Sequence, residues 1–167
     1  GTPQTEAEAD GVAVSGGLSI GASIAEARSK TTIVAKLGTG ADVTSGQLDV
    51  LAMRNVVGTT PSALAKAFGA SGGLLLGANA TVATAASEGE TNALVGDNST
   101  LSVTGTATVK AEGKSRQSSS GLGFSGGIVA VVADFSHANS DVLTQAVLGN
   151  GVKVTGNALH VIAASED

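Results

Sequence analysis

Apolar and small polar residues alternate with a period of two along most of this chain. Leu18, Ile20, Ala22 and Ile24 fall on one parity, as do Leu74, Leu76, Ala78, Ala80 and Val82, with Ser, Gly, Asn and Thr frequent between them. Val152 alternates with Val154, and Leu159 with Val161. A period of two puts successive side chains on opposite faces of an extended backbone, so these stretches predict β-strands. The segments GTGAD from Gly38, GDNS from Gly96 and GNG from Gly149 supply the Gly, Asn and Asp that tolerate positive φ, and they predict turns. PSALAKAF from Pro61 also admits a helix, with Pro in the first turn and good helix formers after it. The equivalent segments QTEAEADGVAV and KSRQSSSGLGF do not read as helical, so the repeat favours a strand or a loop there.

The strands recur in a fixed order. Ser-Gly-Gly occurs at Ser15, Ser71 and Ser125, at spacings of 71 - 15 = 56 and 125 - 71 = 54, each time before an apolar run: LSIGASI, LLLGANATV and IVAVVADF. A second landmark follows in every unit, LGTGADVTSG from Leu37, VGDNSTLSVTG from Val95 and LGNGVKVTG from Leu148. Alternating stretches QLDVLA, TATVKA and NALHVIA come next. Two landmarks in one order, three times, divide the chain into units of approximately 4–59, 60–117 and 118–167, and the expectation is a single repeat domain, 1–167, that is a fragment of a longer repetitive protein. Units too short to close a core alone stack on their neighbours, and their strands then pair in parallel. The fold class expected is therefore all-β, a parallel β-solenoid (β-helix) of three stacked repeats. At about 3.3 Å per residue a unit has a contour on the order of 180 Å, and its unlike halves favour one broad, flattened coil over two smaller ones. Leu74 and Leu76 are expected on a buried face, with Leu75 on the other parity, matching Ser19 and Val129. Ile128–Ala133 is apolar on both parities, which predicts a strand covered on both faces or a contact surface.

Composition narrows the class of partner. Apolar residues make up 42% of the chain but aromatics only 2%, with 24 glycines, so the interior must be built from small and aliphatic side chains in thin layers. The net charge of -5 and the scattered basic residues argue against nucleic acid, which needs clustered Lys and Arg. The absence of cysteine excludes disulfides and thiolate metal sites. Apolar stretches such as Ile128–Ala133 are far shorter than the roughly 20 residues of a spanning helix, so no membrane insertion is expected. The partners expected are neighbouring repeats of the same protein, with self-association through exposed strand edges or Ile128–Ala133.

No segment carries catalytic chemistry. GASGGLLLGANATV from Gly69 fails as a phosphate loop, because Gly77 is followed by Ala78 and Asn79 where Lys and Ser or Thr are required. His137 and His160 lie in different strands with no further ligand at metal spacing. Asp97 and Asn98 sit in a turn, and Asp134 and Asp141 flank HANS, without the spacing of a calcium loop. EARSK from Glu26 and KAEGKSR from Lys110 occur at different phases of the repeat, so no acid–base set recurs as a polysaccharide-cleaving β-helix requires. The expectation is no catalytic residue, no cofactor and no metal. Asn79-Ala-Thr81 and Asn98-Ser-Thr100 match glycosylation acceptors, which matters only in a eukaryotic secretory context.

The succession of SGG, apolar run, T-x-A element, turn, V-T-G and alternating strand resembles the repeats of giant bacterial surface proteins of the filamentous-adhesin or haemagglutinin-like β-solenoid class. T-x-A stands as TNA from Thr91 and TQA from Thr144, whereas the first unit departs with IVA from Ile33. The resemblance covers nearly the whole chain. It implies a secreted or surface-displayed stalk, extracellular and non-enzymatic, able to build a filament. A carbohydrate-binding or polysaccharide-cleaving parallel β-helix is the alternative.

Overall fold

The computed structural model describes residues 4–166 and contains strands without helix. Each unit is one flattened coil of four strands. The first coil comprises β1 (Thr5–Ser15), β2 (Leu18–Leu37), β3 (Asp42–Ser45) and β4 (Leu48–Arg54). The second comprises β5 (Ala63–Gly73), β6 (Leu76–Val95), β7 (Thr100–Val103) and β8 (Thr106–Lys114). The third comprises β9 (Gln117–Gly126), β10 (Val129–Leu148), β11 (Lys153–Thr155) and β12 (Ala158–Glu166). Equivalent strands pair in parallel to give four three-stranded sheets, β1-β5-β9, β10-β6-β2, β11-β7-β3 and β12-β8-β4. The sheet of 20-residue strands forms one broad wall. The β1 and β4 families lie against its two halves as the opposite wall. A two-residue turn closes one narrow end, and the β3 family lies at the other. PSALAKAF enters β5, because pairing with β1 and β9 on both sides satisfies its backbone better than an isolated helical turn could.

The polar end repeats as the sequence predicts. Leu37, Val95 and Leu148 stack in register. One turn position beyond them holds Gly40, Asn98 and Gly151, with φ of 66, 57 and 66°. The Ser-Gly-Gly landmark does not stack in this way. Ser71 pairs with Ser125, at the expected spacing of 54, but Ser15 pairs with Gly73, a separation of 73 - 15 = 58. The closing turn is therefore Gly16–Gly17 in the first coil, Leu74–Leu75 in the second and Gly127–Ile128 in the third. A two-residue slip keeps parity, so every side chain still points to the same side.

The interior changes along the width of the coil. Near the β3 family it is aliphatic, built on Val50, Val95, Leu101, Val103 and Val109. The middle is a layer of alanines, Ala25, Ala27, Ala63, Ala65, Ala67, Ala83 and Ala85. At the hairpin end the inward positions are Ser19, Ser23, Ser71, Asn79 and Thr81, interleaved with glycine. The walls approach so closely there that a Cβ on Gly69 would lie 2.6 Å from Asn79 Nδ2, and one on Gly11 2.5 Å from Ser23 Oγ.

That spacing corrects the expected facing of the leucines. Leu74 and Leu75 are exposed and Leu76 is half-buried on the outer side, while Gly77, Asn79 and Thr81 take the inside. Leu18, Ile20 and Ile24 also point outward, at 66, 76 and 69% exposure. In the first two coils the inward positions here are Gly, Ala, Ser, Thr and Asn, and walls this close leave no volume for leucine or isoleucine, so those side chains turn out. In Ile128–Ala133 the residues aligned with inward Gly77 and Asn79 are Ala130 and Val132, and Val129 and Val131 face out.

Candidate functional site

Three features distinguish themselves from the regular ladder, and the largest is the hairpin end. On the outer face of the long sheet, four columns run across the coils: Leu18/Leu76/Val129, Ile20/Ala78/Val131, Ala22/Ala80/Ala133 and Ile24/Val82/Phe135. On the opposite outer face, Val12 aligns with Ala70 and Phe124, and Asp10 with Phe68 and Leu122. The rings of Phe68 and Phe124 meet with centroids 5.9 Å apart. Leu74, Leu75 and Ile128 cap the turns between the faces. The chain has three aromatic residues, Phe68, Phe124 and Phe135, and all of them stand on these outer faces. Ordinary cores bury such residues; here small polar groups are inside and the bulk of the apolar surface is outside.

A charged groove crosses the same long sheet at mid-width, lined by Lys30, Thr32, Glu88, Gly89, Glu90, Asp141 and Leu143. Lys30, Glu88 and Asp141 share one column, and Thr32, Glu90 and Leu143 the next but one along the strand. The groove offers one ammonium group and three carboxylates on a nearly flat sheet. That arrangement can hydrogen-bond a polar ligand, but it lacks an enclosed, desolvated acid–base pair.

Inside the coil behind this groove lies Arg54, the last residue of β4, only 2% exposed. Gly89, at φ 146°, makes room for it: a Cβ there would fall 3.0 Å from Nη1. The adjoining corner is held by Asn55 Nδ2, which donates to Ser62 Oγ at 3.0 Å. Arg54 continues the inward parity of Leu48, Val50 and Ala52, so its burial was readable from the alternation, although a charged residue invites the opposite reading.

The residues singled out in the sequence are not brought together. His137 stands on the outer face of the long sheet, level with Glu26 and Thr84, and His160 on the outer face of the β12 sheet, level with Asp49 and Thr108. Asp134 points inward, where it accepts a hydrogen bond from Thr81 Oγ1 at 2.5 Å, whereas Asp141 points out into the groove. Asp97 is a turn residue whose Oδ1 accepts from the Asn150 amide at 2.7 Å, and the Asn98 amide donates to Asn150 O at 2.8 Å. Among the described residues no group of three or more His, Asp or Glu is placed to hold a metal ion. Asn79 is buried at 4% exposure, which removes it as a glycosylation acceptor, while Asn98 sits in an exposed turn.

Arg28 and Glu166 depart from their ordinary values, and both stand in surface pairs. Glu26, by hydrogen bond and charge, raises the pKa of Arg28; Lys114, 2.6 Å from Glu166, lowers that of Glu166 in the same two ways, with Arg116 adding to the effect. Exposed pairs of this kind trim a surface and do not signal catalysis. No family model matches the chain, and comparison with curated proteins and with solved structures gives no match.

Proposed function

We propose that the chain is a non-enzymatic structural module, a set of coils in a β-solenoid stalk of an adhesin-like protein, displayed on a bacterial surface or secreted, and able to extend into a filament. The observation that carries this reading is the contrast between coils. Val109 and Ala111 of the middle coil are fully buried, while their register partners in the third coil, Val161 and Ala163, are exposed, Val161 at 43%. The outer coil thus presents an unfinished cross-section of core and a free backbone edge, a surface that one more coil of the same kind completes. The resemblance of its repeats to those of filamentous adhesins supports the extracellular setting.

Joining copies of the chain in tandem tests the proposal. Electron microscopy should show the particle lengthening along one axis by about 14 Å per added copy, three strand spacings of about 4.8 Å. Independent beads on a string would overturn it. The charged groove favours a second reading, a carbohydrate-binding β-helix, because Lys30 with Glu88, Glu90 and Asp141 can bind hydroxyl groups. Glycan-array binding abolished by Lys30→Ala together with Glu88→Gln would move the assignment there, and turnover of a bound polysaccharide would move it to a lyase.

A further inference from the structure

We infer that the hairpin end of the coil stack dips into the hydrocarbon of a lipid bilayer, to the depth of about one leaflet. This rests on the stalk reading in one respect, that neighbouring coils cover the open edges of the first and third hairpins. The middle hairpin needs no such cover, since β5 and β6 pair on both sides.

The argument starts from what is exposed and on which sides. Val12, Val14, Leu122 and Phe124 cover one outer face, and Leu18, Ile20, Ile24, Val129, Val131 and Phe135 the other, all at more than 50% exposure. Leu74, Leu75 and Ile128, at 69, 57 and 79%, join the two faces around the tip. A protein partner laid on one face would leave the other face and the tip in water. One face is also small: four columns at about 6.6 Å by three strands at about 4.8 Å give about 380 Å² per partner, half the roughly 800 Å² of a standard interface. Hydrocarbon chains wet all three sides at once.

Charge and depth agree with this. Residues 11–25, 67–87 and 117–133 contain no charged side chain, and they are bounded by Asp10 and Glu26, by Lys66 and Glu88, and by Arg116 and Asp134. The shortest uncharged arms, 11–15 and 129–133, are five residues each, about 16 Å at 3.3 Å per residue. Half of a hydrocarbon core of about 30 Å is about 15 Å. Arms of this length are too short to span, so the hairpins enter one leaflet and the outward charges Asp10, Glu26, Lys66 and Glu88 stay at the headgroups, while Asp134 points into the coil, where Thr81 donates to it. Small polar side chains such as Ser19, Ser23, Asn79 and Thr81 face the interior of the wedge and away from lipid. The expectation of no membrane insertion rested on the length of a spanning helix. No helix of the described residues is long and apolar enough to cross a membrane, which says nothing about strands whose apolar side chains turn outward.

The chain has no tryptophan, so a single one reports its surroundings. Leu75→Trp at the tip is mixed with vesicles of phosphatidylcholine, a headgroup of no net charge. A blue-shifted emission, quenched by bromines on the acyl chains and unchanged between low and high salt, is expected. Leu51→Trp, in β4 far from the tip, should show neither effect. Combining Ile20→Asp and Val131→Asp should weaken vesicle binding at least roughly tenfold while the circular dichroism spectrum and melting temperature stay unchanged, because both side chains are already in solvent. Val34→Asp, outward in the same sheet but beyond the charged rows, should bind like the parent. A folded Leu75→Trp variant whose emission ignores vesicles overturns the proposal. So does self-association without lipid that the Ile20 and Val131 substitutions abolish, which would make a second copy the cover. Neither result touches the stalk reading, whose test is the axial length of tandem copies.

Discussion

Val103 and Ile20 are both aliphatic strand residues, and the structure assigns them opposite tolerance of charge. Val103 is 4% exposed in the aliphatic layer, so Val103→Asp buries a carboxylate without a partner and should cost about 4 kcal/mol or more. Ile20→Asp, at a site already 76% exposed, should stay within about 0.5 kcal/mol. Thermal melts of the two variants check the assignment of inside and outside directly; equal losses would mean that the hairpin end is packed in solution. Arg54 calls for a different comparison. Its buried side chain packs beside Gly89, so truncation leaves a cavity as well as removing the guanidinium's contacts. Arg54→Ala should lose about 2–4 kcal/mol, and Arg54→Met, which keeps most of the volume and brings no charge inside, distinctly less, as denaturant titration would measure.

At the scale of the element, the alternation in sequence identifies which residues share a face and is silent on which face is inside. That depends on the separation of the two walls, a property of the pair. Near the β3 family, valines and leucines in both walls hold them apart, and there the inward set Leu101, Val103 and Val109 is the apolar set. At the hairpin end Gly69, Gly77 and Gly121 let the walls close on Asn79 and Thr81, and the apolar set is displaced outward. Turns follow a similar division. Gly40, Asn98 and Gly151 were legible because the left-handed conformation selects Gly and Asn by sterics. Ser-Gly-Gly was misleading as a landmark, since in the second coil it lies within β5 and Leu74–Leu75 makes the turn. The charged groove could not be read from spacing at all, because Lys30, Glu88 and Asp141 meet only through the register of three strands. The corner position yields a prediction of its own: at φ 57°, Asn98→Gly should be tolerated with little change, whereas Asn98→Val should cost about 1–2 kcal/mol, read from the shift in melting midpoint.

At the scale of the molecule, stability depends on the number of covered coils. The middle coil buries its aliphatic layer, with Leu101 and Val109 fully enclosed, while the inward-facing Leu159 and Val161 of the third coil remain 39 and 43% exposed. In a stack of this kind, stability is approximately the sum of an intrinsic term for each coil and an interface term for each junction. Every coil added to the open end gains a junction and encloses residues that now face water. For n copies in tandem the coils number 3n and the junctions 3n - 1, so the ratio of junctions to coils rises from two in three for one copy to five in six for two. Two copies joined in register should therefore melt at a higher temperature than one, in a single cooperative transition. A third copy should add a smaller increment, since the ratio moves only to eight in nine. Differential scanning calorimetry of the three lengths separates the possibilities: a midpoint independent of copy number would mean that each chain folds as a closed unit, and the exposed Val161 column would then need an explanation other than a missing neighbour.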